Sequence, residues 1–283
     1  MRVTVRVPAT SANLGPGFDC LGLALDLCNE VTVDTDEEPG ISWEGEGADE
    51  LPTDATDRIS RTMAAVAAAA GRELPPFALR GHNRIPLERG LGSSAAAAVA
   101  GVLLADRILG LGLRMDDLLS SAVGVEGHPD NAAAALLGGL TIATGDAAVR
   151  IDPNVALAPV LLVPELRLGT EVARAAIPGE VPTRDAVFNL RRAALAVVAL
   201  TERPEYLGLA LEDRLHQPHR LRLMPTIRAV FDGIVDAGVP VCVSGAGPSL
   251  LAFEIDRRRV SDPGQGWRVL RPGLRARGAE VAR

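Results

Sequence analysis

Residues 84–101, RIPLERGLGSSAAAAVAG, set Gly90, Gly92, Ser93 and Ser94 just ahead of an alanine run. A glycine turn opening a helix brings backbone N–H groups and the positive end of the helix dipole onto a phosphate. Glycine lets the backbone approach such a group closely. The serine hydroxyls can hydrogen-bond phosphate or ligate Mg2+. The same residues also suit a tight turn with Ser93 or Ser94 capping the helix. Short glycine motifs are common, so this stretch alone does not choose between the readings.

Two further segments carry polar groups beside glycines. VSGAGPSLLAF, residues 243–253, puts a second glycine turn after a strand, which is also how a hairpin bend in a buried sheet reads. VPATSANLGPGFDCLGLAL, residues 7–25, holds Asn13 and Asp19 in an apolar frame, where Asx-turn chemistry is the plain alternative. EGHPDN, residues 126–131, supplies Glu126, His128, Asp130 and Asn131.

Composition narrows the chemistry. The 283 residues are 47% hydrophobic with a formal net charge of −7, enough for a large core and unsuited to general nucleic-acid or membrane-surface binding. All 29 basic residues are arginine. Without lysine, neither a Walker-type P-loop nor a pyridoxal phosphate Schiff base can form. Cys20, Cys28 and Cys242 lack zinc-like spacing and read as reduced thiols of a cytoplasmic protein. Neither a signal peptide nor a membrane span is expected.

The elements that must position these residues follow from periodicity and punctuation. Val3, Val5 and Val7 alternate with polar residues as a strand, CNEVTVDTD is a second, and ISWEGEG suggests a hairpin. TDRISRTMAAVAAAAGR is helical, starting near Asp57 and stopping at Gly71. FALRGHNRIP is a strand, Ser93 to about Ile108 a helix, RMDDLLSSAVGVEG another, and HPDN a turn. AAAALLGGLTIATG reads as a short apolar helix and a strand. Beyond a boundary near 150, giving units 1–150 and 151–283, APVLLVPEL is strand-like and TEVARAAI a short helix. DAVFNLRRAALAVVALT is a longer helix, and PEYLGLALEDRLHQPHRLRL one more, ending around Pro218. TIRAVFDGIVDAG is amphipathic, VPVCVSGAGPSLLAFEI contains a strand, loop and second element, and WRVLRPGLRARGAEV offers a final edge strand. Arg257–Arg259 suggests a solvated turn. Mixed elements without regular βαβ spacing indicate an α+β protein in two lobes.

The three glycine-bearing segments, in this order over residues 3–253, resemble the signature motifs of the GHMP kinases. PATSANLGPGFDCLGLAL, EGHPDN, DAVFNLRRAAL, DRLHQPHR and VSGAGPSLLAF are similar to the family's homoserine kinase branch. The resemblance implies an N-terminal lobe like ribosomal protein S5 domain 2, a ferredoxin-like C-terminal lobe, and an active site between them. It implies ATP-dependent transfer of a phosphoryl group to L-homoserine, giving O-phospho-L-homoserine for threonine biosynthesis, with Mg2+. ATP would be held by Pro86, Leu87, Glu88, Arg89, Gly90, Leu91, Gly92, Ser93, Ser94, Ala95 and Ala96, with Gly245 and Gly247. Ser94 and Glu126 would meet the metal, which prefers oxygen ligands. Arg174 and Arg220 match the substrate arginines, able to grip a carboxylate through paired hydrogen bonds. Asn13, Asp19, His128, Asp130 and Asn131 would complete the substrate site, with Asp19 or Asp130 near the ammonium and Asn131 steadying the reacting hydroxyl. His82, His216 and His219 are expected to be structural or surface groups.

Asp19 could serve as catalytic base, or the hydroxyl proton could pass to the γ-phosphate; the aspartate–lysine pair of some family members has no lysine here. One departure is Ala132–Ala134 where a Val-Ala-Pro type sequence is expected. The alternatives are another GHMP kinase of mevalonate type and a non-catalytic nucleotide-binding regulator of the same fold. The expected partner is the small-molecule substrate, with no nucleic acid and no membrane; family members often form homodimers.

Overall fold

The computed structural model describes residues 1–145, 147–256 and 258–282. The first part of the chain forms β1 (Arg2–Ala12), β2 (Leu21–Asp34), β3 (Gly40–Gly45), α1 (Arg58–Ala69), β4 (Ala78–Asn83) and α2 (Ser93–Leu109). It continues through α3 (Met115–Glu126), α4 (Pro129–Leu137), β5 (Leu140–Ala143) and β6 (Ala148–Ile151). Beyond residues 152–157 come β7 (Ala158–Pro164), α5 (Thr170–Ala175), α6 (Thr183–Thr201), α7 (Leu207–Ala210), α8 (Gln217–Leu223) and α9 (Pro225–Asp236). The chain closes with β8 (Val241–Val243), β9 (Leu250–Glu254), β10 (Trp267–Leu270) and β11 (Glu280–Ala282).

The first sheet runs β11-β1-β2-β4-β3, with β5 also pairing β2 and β6 pairing β5. The alternation read from Val3, Val5 and Val7 is realised: these side chains are buried, while Thr4 pairs with Thr32 and Arg6 with Glu30 across the β1–β2 ladder. The register shifts at Pro8/Ala9, where a residue without an N–H is tolerated at an irregularity. Apolar α2 packs on β1 and against α1, α3 and α4. Asp57 caps α1, its carboxylate accepting from Ser60 N at 2.9 Å. The second sheet, β10-β7-β9-β8, is antiparallel. Its alternation is two-sided. Leu161, Val163, Leu251 and Phe253 join the main core, whereas Val160, Leu162, Leu250 and Ala252 pack with Leu221, Met224, Ile227 and Ile234. This is the two-lobed α+β architecture that the resemblance implied.

Several local expectations are corrected. ISWEGEG forms no hairpin: β3 pairs β4 in parallel, Gly40 opposite Ala78 through Gly45 opposite Asn83. HPDN is not a free turn, because His128 is the N-cap of α4 and Pro129 opens it. Pro218 likewise lies in the first turn of α8 rather than ending a helix. Proline fits there because a first-turn N–H has no intrahelical partner. The long helix expected over 204–223 is therefore interrupted. Asp213 turns the chain by accepting from the backbone N–H groups of Leu215, His216 and Gln217. The tail adds an edge strand to each sheet, β10 to the second and β11 to the first. Of the Arg257–Arg259 run, Arg257 lies outside the described residues. Cys20, Cys28 and Cys242 are free thiols. Among the described residues no helix is long and apolar enough to cross a membrane.

Candidate active site

The glycine turn between β4 and α2 is held in the left-handed region, with φ +70° at both Gly90 and Gly92. Gly92, not a serine, is the N-cap of α2, and neither serine side chain caps the helix. That frees the hydroxyls: Ser94 Oγ donates to Glu126 Oε2 at 2.7 Å. A Cβ on Gly92 would lie 2.0 Å from Thr10 Oγ1, and one on Gly90 would lie 2.2 Å from the Ser244 carbonyl. The glycines are thus required both by dihedral and by crowding.

The crowding at Gly90 comes from the second glycine turn. Ser244 Oγ is 2.8 Å from Gly90 O and from Ser11 Oγ. Gly245 N donates to Ala12 O at 3.1 Å. Gly245 O accepts from Asn13 Nδ2 at 2.8 Å and from Arg220 Nη1 at 2.7 Å. Asn13 Oδ1 in turn accepts from Asp19 N at 3.0 Å, a bond that closes a six-residue loop rather than the local Asx-turn considered from sequence. Asn13 borders the cleft while bracing its floor.

A cleft of about 220 Å³ opens beside these turns. Its wall includes Asn13, Asp19, Pro86, Glu88, Arg89, Gly90, Leu91, Gly92, Ser93, Ser94, Glu126, His128, Asp130, Asn131, Arg174, Arg220 and Gly245. The expected site residues outside it are few. Leu87 and Ala96 line an adjoining cavity of about 370 Å³, which also touches Glu88, Ser93 and Ser94. Ala95 is buried in α2, and Gly247 sits under the turn, its N–H donating to Ser244 O at 2.8 Å.

Opposite charges meet in the same wall. Arg174, on α5, donates to both carboxylate oxygens of Asp19 at 2.9 and 2.7 Å. Arg220, on α8, is 2% exposed. Its Nη1 also donates to His216 Nδ1 at 3.1 Å, and His216 Nε2 donates to Gly15 O at 2.7 Å. The Phe18 ring lies 5.4 Å from both guanidinium carbons and stacks on His216. Asn131, in the first turn of α4, accepts from Thr10 Oγ1 at 2.7 Å through Oδ1. Thr10, Phe18 and Arg58 were not singled out from sequence. His216 is structural, as expected, and its spacing of four from Arg220 within DRLHQPHR was the available signal.

Residues 57–139, which span α1 to the end of α4, match the GHMP kinases N terminal domain. The homoserine kinase of Clavibacter michiganensis subsp. michiganensis is 45% identical over 272 residues, covering 93% of this chain and 84% of that one. The homoserine kinase of Streptomyces avermitilis is 45% identical, covering 99% and 95%. The chain belongs to the homoserine kinase branch of the GHMP kinases. A solved homoserine kinase, from Cytophaga hutchinsonii, superposes with a TM-score of 0.86 at 27% identity, over 99% of this chain and 97% of that one.

In this homoserine kinase-family cleft, burial sets the electrostatics. It pushes His216 down to about 4, which keeps the ring neutral with its proton on Nε2 toward Gly15. Arg220 falls to about 10 through burial and the neighbouring Arg174 charge, and remains a cation at neutral pH. Asp130, 2% exposed, is raised to about 6, chiefly by burial, with its backbone bond from Asn131 N opposing. The unfolded chain ionises this group near pH 4, so stability is lost as pH rises from about 4 to about 6. Asp130→Asn should therefore stabilise the free protein by ~1–3 kcal/mol at pH 7.5, since a two-unit shift is worth about that much. The gain should vanish near pH 4. Unfolding midpoints measured across this range check it, and an Asn variant less stable than the parent at pH 7.5 would refute it.

Proposed function

We propose that this chain transfers the γ-phosphoryl group of ATP to the hydroxyl of L-homoserine, in a cytoplasmic step toward threonine. The observation that carries this reading is one cleft whose wall brings together a glycine-cradled helix N-terminus, the Asp19–Arg174 ion pair, Asp130 and Arg220. A zwitterion with a hydroxyl tail fits between them. The adjoining cavity, lined by Trp43, Leu51, Ile59 and Leu87, takes the adenosine. The residues also fit Mg2+. The Ser94 hydroxyl and Glu126 carboxylate are already 2.7 Å apart, and this ion favours one or two carboxylates together with substrate phosphates. When bound, it neutralises charge developing on the phosphates.

The backbone N–H groups of the glycine turn and α2 hold the phosphates. Arg220 and Arg174 receive the substrate carboxylate, while Asp130 and Asp19 face its ammonium. Thr10 fixes Asn131 through Oδ1, and Nδ2, only loosely held by Asp130 Oδ1 at 3.4 Å, is assigned to steadying the reacting hydroxyl. As the hydroxyl oxygen forms its bond to the γ-phosphorus, the bond to the bridging oxygen of ADP breaks and the hydroxyl proton passes to the transferred phosphoryl group. Both oxygens of Asp19 are engaged by Arg174, so Asp19 is assigned to binding. Asp19→Asn should raise KM for homoserine by about 10- to 50-fold and change kcat by less than about fivefold. A fall in kcat above about 100-fold would make it the base instead.

ADP release measured with L-homoserine, mevalonate and galactose tests the whole reading. The expected result is turnover with homoserine alone. No homoserine-dependent release, under conditions where the protein binds ATP, would overturn it.

A further inference from the structure

Arg58, the first residue of α1, lines the adjoining cavity given above to the adenosine and reaches from it to Glu126, which lines the cleft beside the glycine turn. Its Nη2 donates to Glu126 Oε2 at 2.7 Å and to Val125 O at 3.3 Å. The oxygen it engages also accepts from Ser94 Oγ, so a guanidinium sits on the carboxylate face turned toward the serine. Arg58 Nε is buried without a partner.

The other arginines near the site are committed elsewhere. Arg89 donates to the carbonyls of Pro164, Glu165 and Leu87 at 2.8, 2.6 and 3.2 Å. Arg167 forms a two-pronged pair with Glu50. Arg174 is held by Asp19, and buried Arg220 is held by Gly245 O and His216 Nδ1. The chain has no lysine to supply a phosphate counter-charge. Arg58 is 41% exposed on its side chain, and its charge is shared with one carboxylate and one carbonyl.

We propose that Arg58 is a nucleotide-phosphate ligand that rests on Glu126 when the site is empty and turns to the phosphate oxygens when nucleotide enters. The inference rests on the phosphoryl-transfer reading above. The pair with Glu126 keeps the carboxylate neutralised in the free protein. Once phosphates and a cation arrive, Glu126 has a better partner, and the guanidinium it releases is free to meet the phosphate oxygens. A planar guanidinium matches two phosphate oxygens at once.

Calorimetry tests this with three probes, a non-hydrolysable ATP analogue, ADP and adenosine, each in Mg2+ and in EDTA. The parent is compared with Arg58→Gln and Arg58→Lys, and unfolding midpoints establish that the variants are folded. Arg58→Gln should weaken the ATP analogue by about 10- to 100-fold, more in EDTA than in Mg2+, and leave adenosine within about twofold. Arg58→Lys should recover part of the loss, because it keeps the charge and loses the fork. An equal loss for adenosine and the ATP analogue would assign Arg58 to shaping the cavity and overturn the proposal, as would no loss at all. A parent protein that binds none of the three probes would instead bring down the phosphoryl-transfer reading, and this proposal with it.

Discussion

Arg220→Met should lower kcat/KM for L-homoserine by about a thousandfold, with most of the loss in KM and nucleotide affinity nearly unchanged. Arg220 is buried, and its Nη1 is committed to Gly245 O and His216 Nδ1. Its Nη2 has no partner among the described residues, and the proposed reading gives it the substrate carboxylate. Removing one member of a desolvated charge pair costs about 3–5 kcal/mol, which is about 10²- to 10⁴-fold. Methionine keeps much of the stem volume, so the Phe18 contact is filled while the charge is gone. Arg220→Lys should restore little, because a single ammonium cannot hold Gly245 O and His216 Nδ1 and also present a second, fixed donor to the carboxylate. Steady-state kinetics against homoserine, beside calorimetry with ADP, read the result. An unchanged KM for homoserine would remove Arg220 from the binding site.

Gly92→Ala should lower kcat by about 100-fold or more through two separable effects. The first is the dihedral: φ of +70° costs an L-residue about 1–2 kcal/mol. The second is contact. The new methyl would stand 2.0 Å from Thr10 Oγ1 and 3.1 Å from Asn131 Oδ1, the very pair that aims Asn131. Gly112→Ala is the matched control. Gly112 has φ of +65° with nothing within 4 Å of its would-be Cβ, so it carries the strain and no collision. Both variants should melt a little earlier than the parent, while only Gly92→Ala should lose turnover. Equal activity in the two would show that the Thr10–Asn131 bond does not matter for the reaction.

The glycine turns, Asn13, Asp19, Glu126 and both arginines could be singled out through motifs that resemble those of the GHMP kinases, where local sequence alone favoured plain turns and surface charges; the structure brings them to one cleft. What was hidden depended on distance or on competition. Thr10 reaches Asn131 across 121 residues, and Arg58 reaches Glu126 across 68. Nothing in either neighbourhood marks such a pairing. The parallel match of β3 with β4 was invisible for the same reason, since α1 lies between them. Proline misled twice, at Pro129 and Pro218, because a helix tolerates it in the first turn and rejects it further on. The serine cap failed because a left-handed Gly92 took the capping position and Ser94 found Glu126. Local propensity proposed one partner for that hydroxyl, and the fold supplied another.

The carbonyl of Gly245 accepts from Asn13 on one side and Arg220 on the other, while its turn is crowded against Gly90. On the proposed reading, a guanidinium drawn toward an incoming amino acid would tug on the same peptide unit that braces the proposed phosphate cradle. Linkage makes any such coupling reciprocal: whatever factor one occupant adds to the other's affinity is returned in full. The two ligands proposed for this cleft would then meet through one shared peptide unit, and not only through the reaction that joins them.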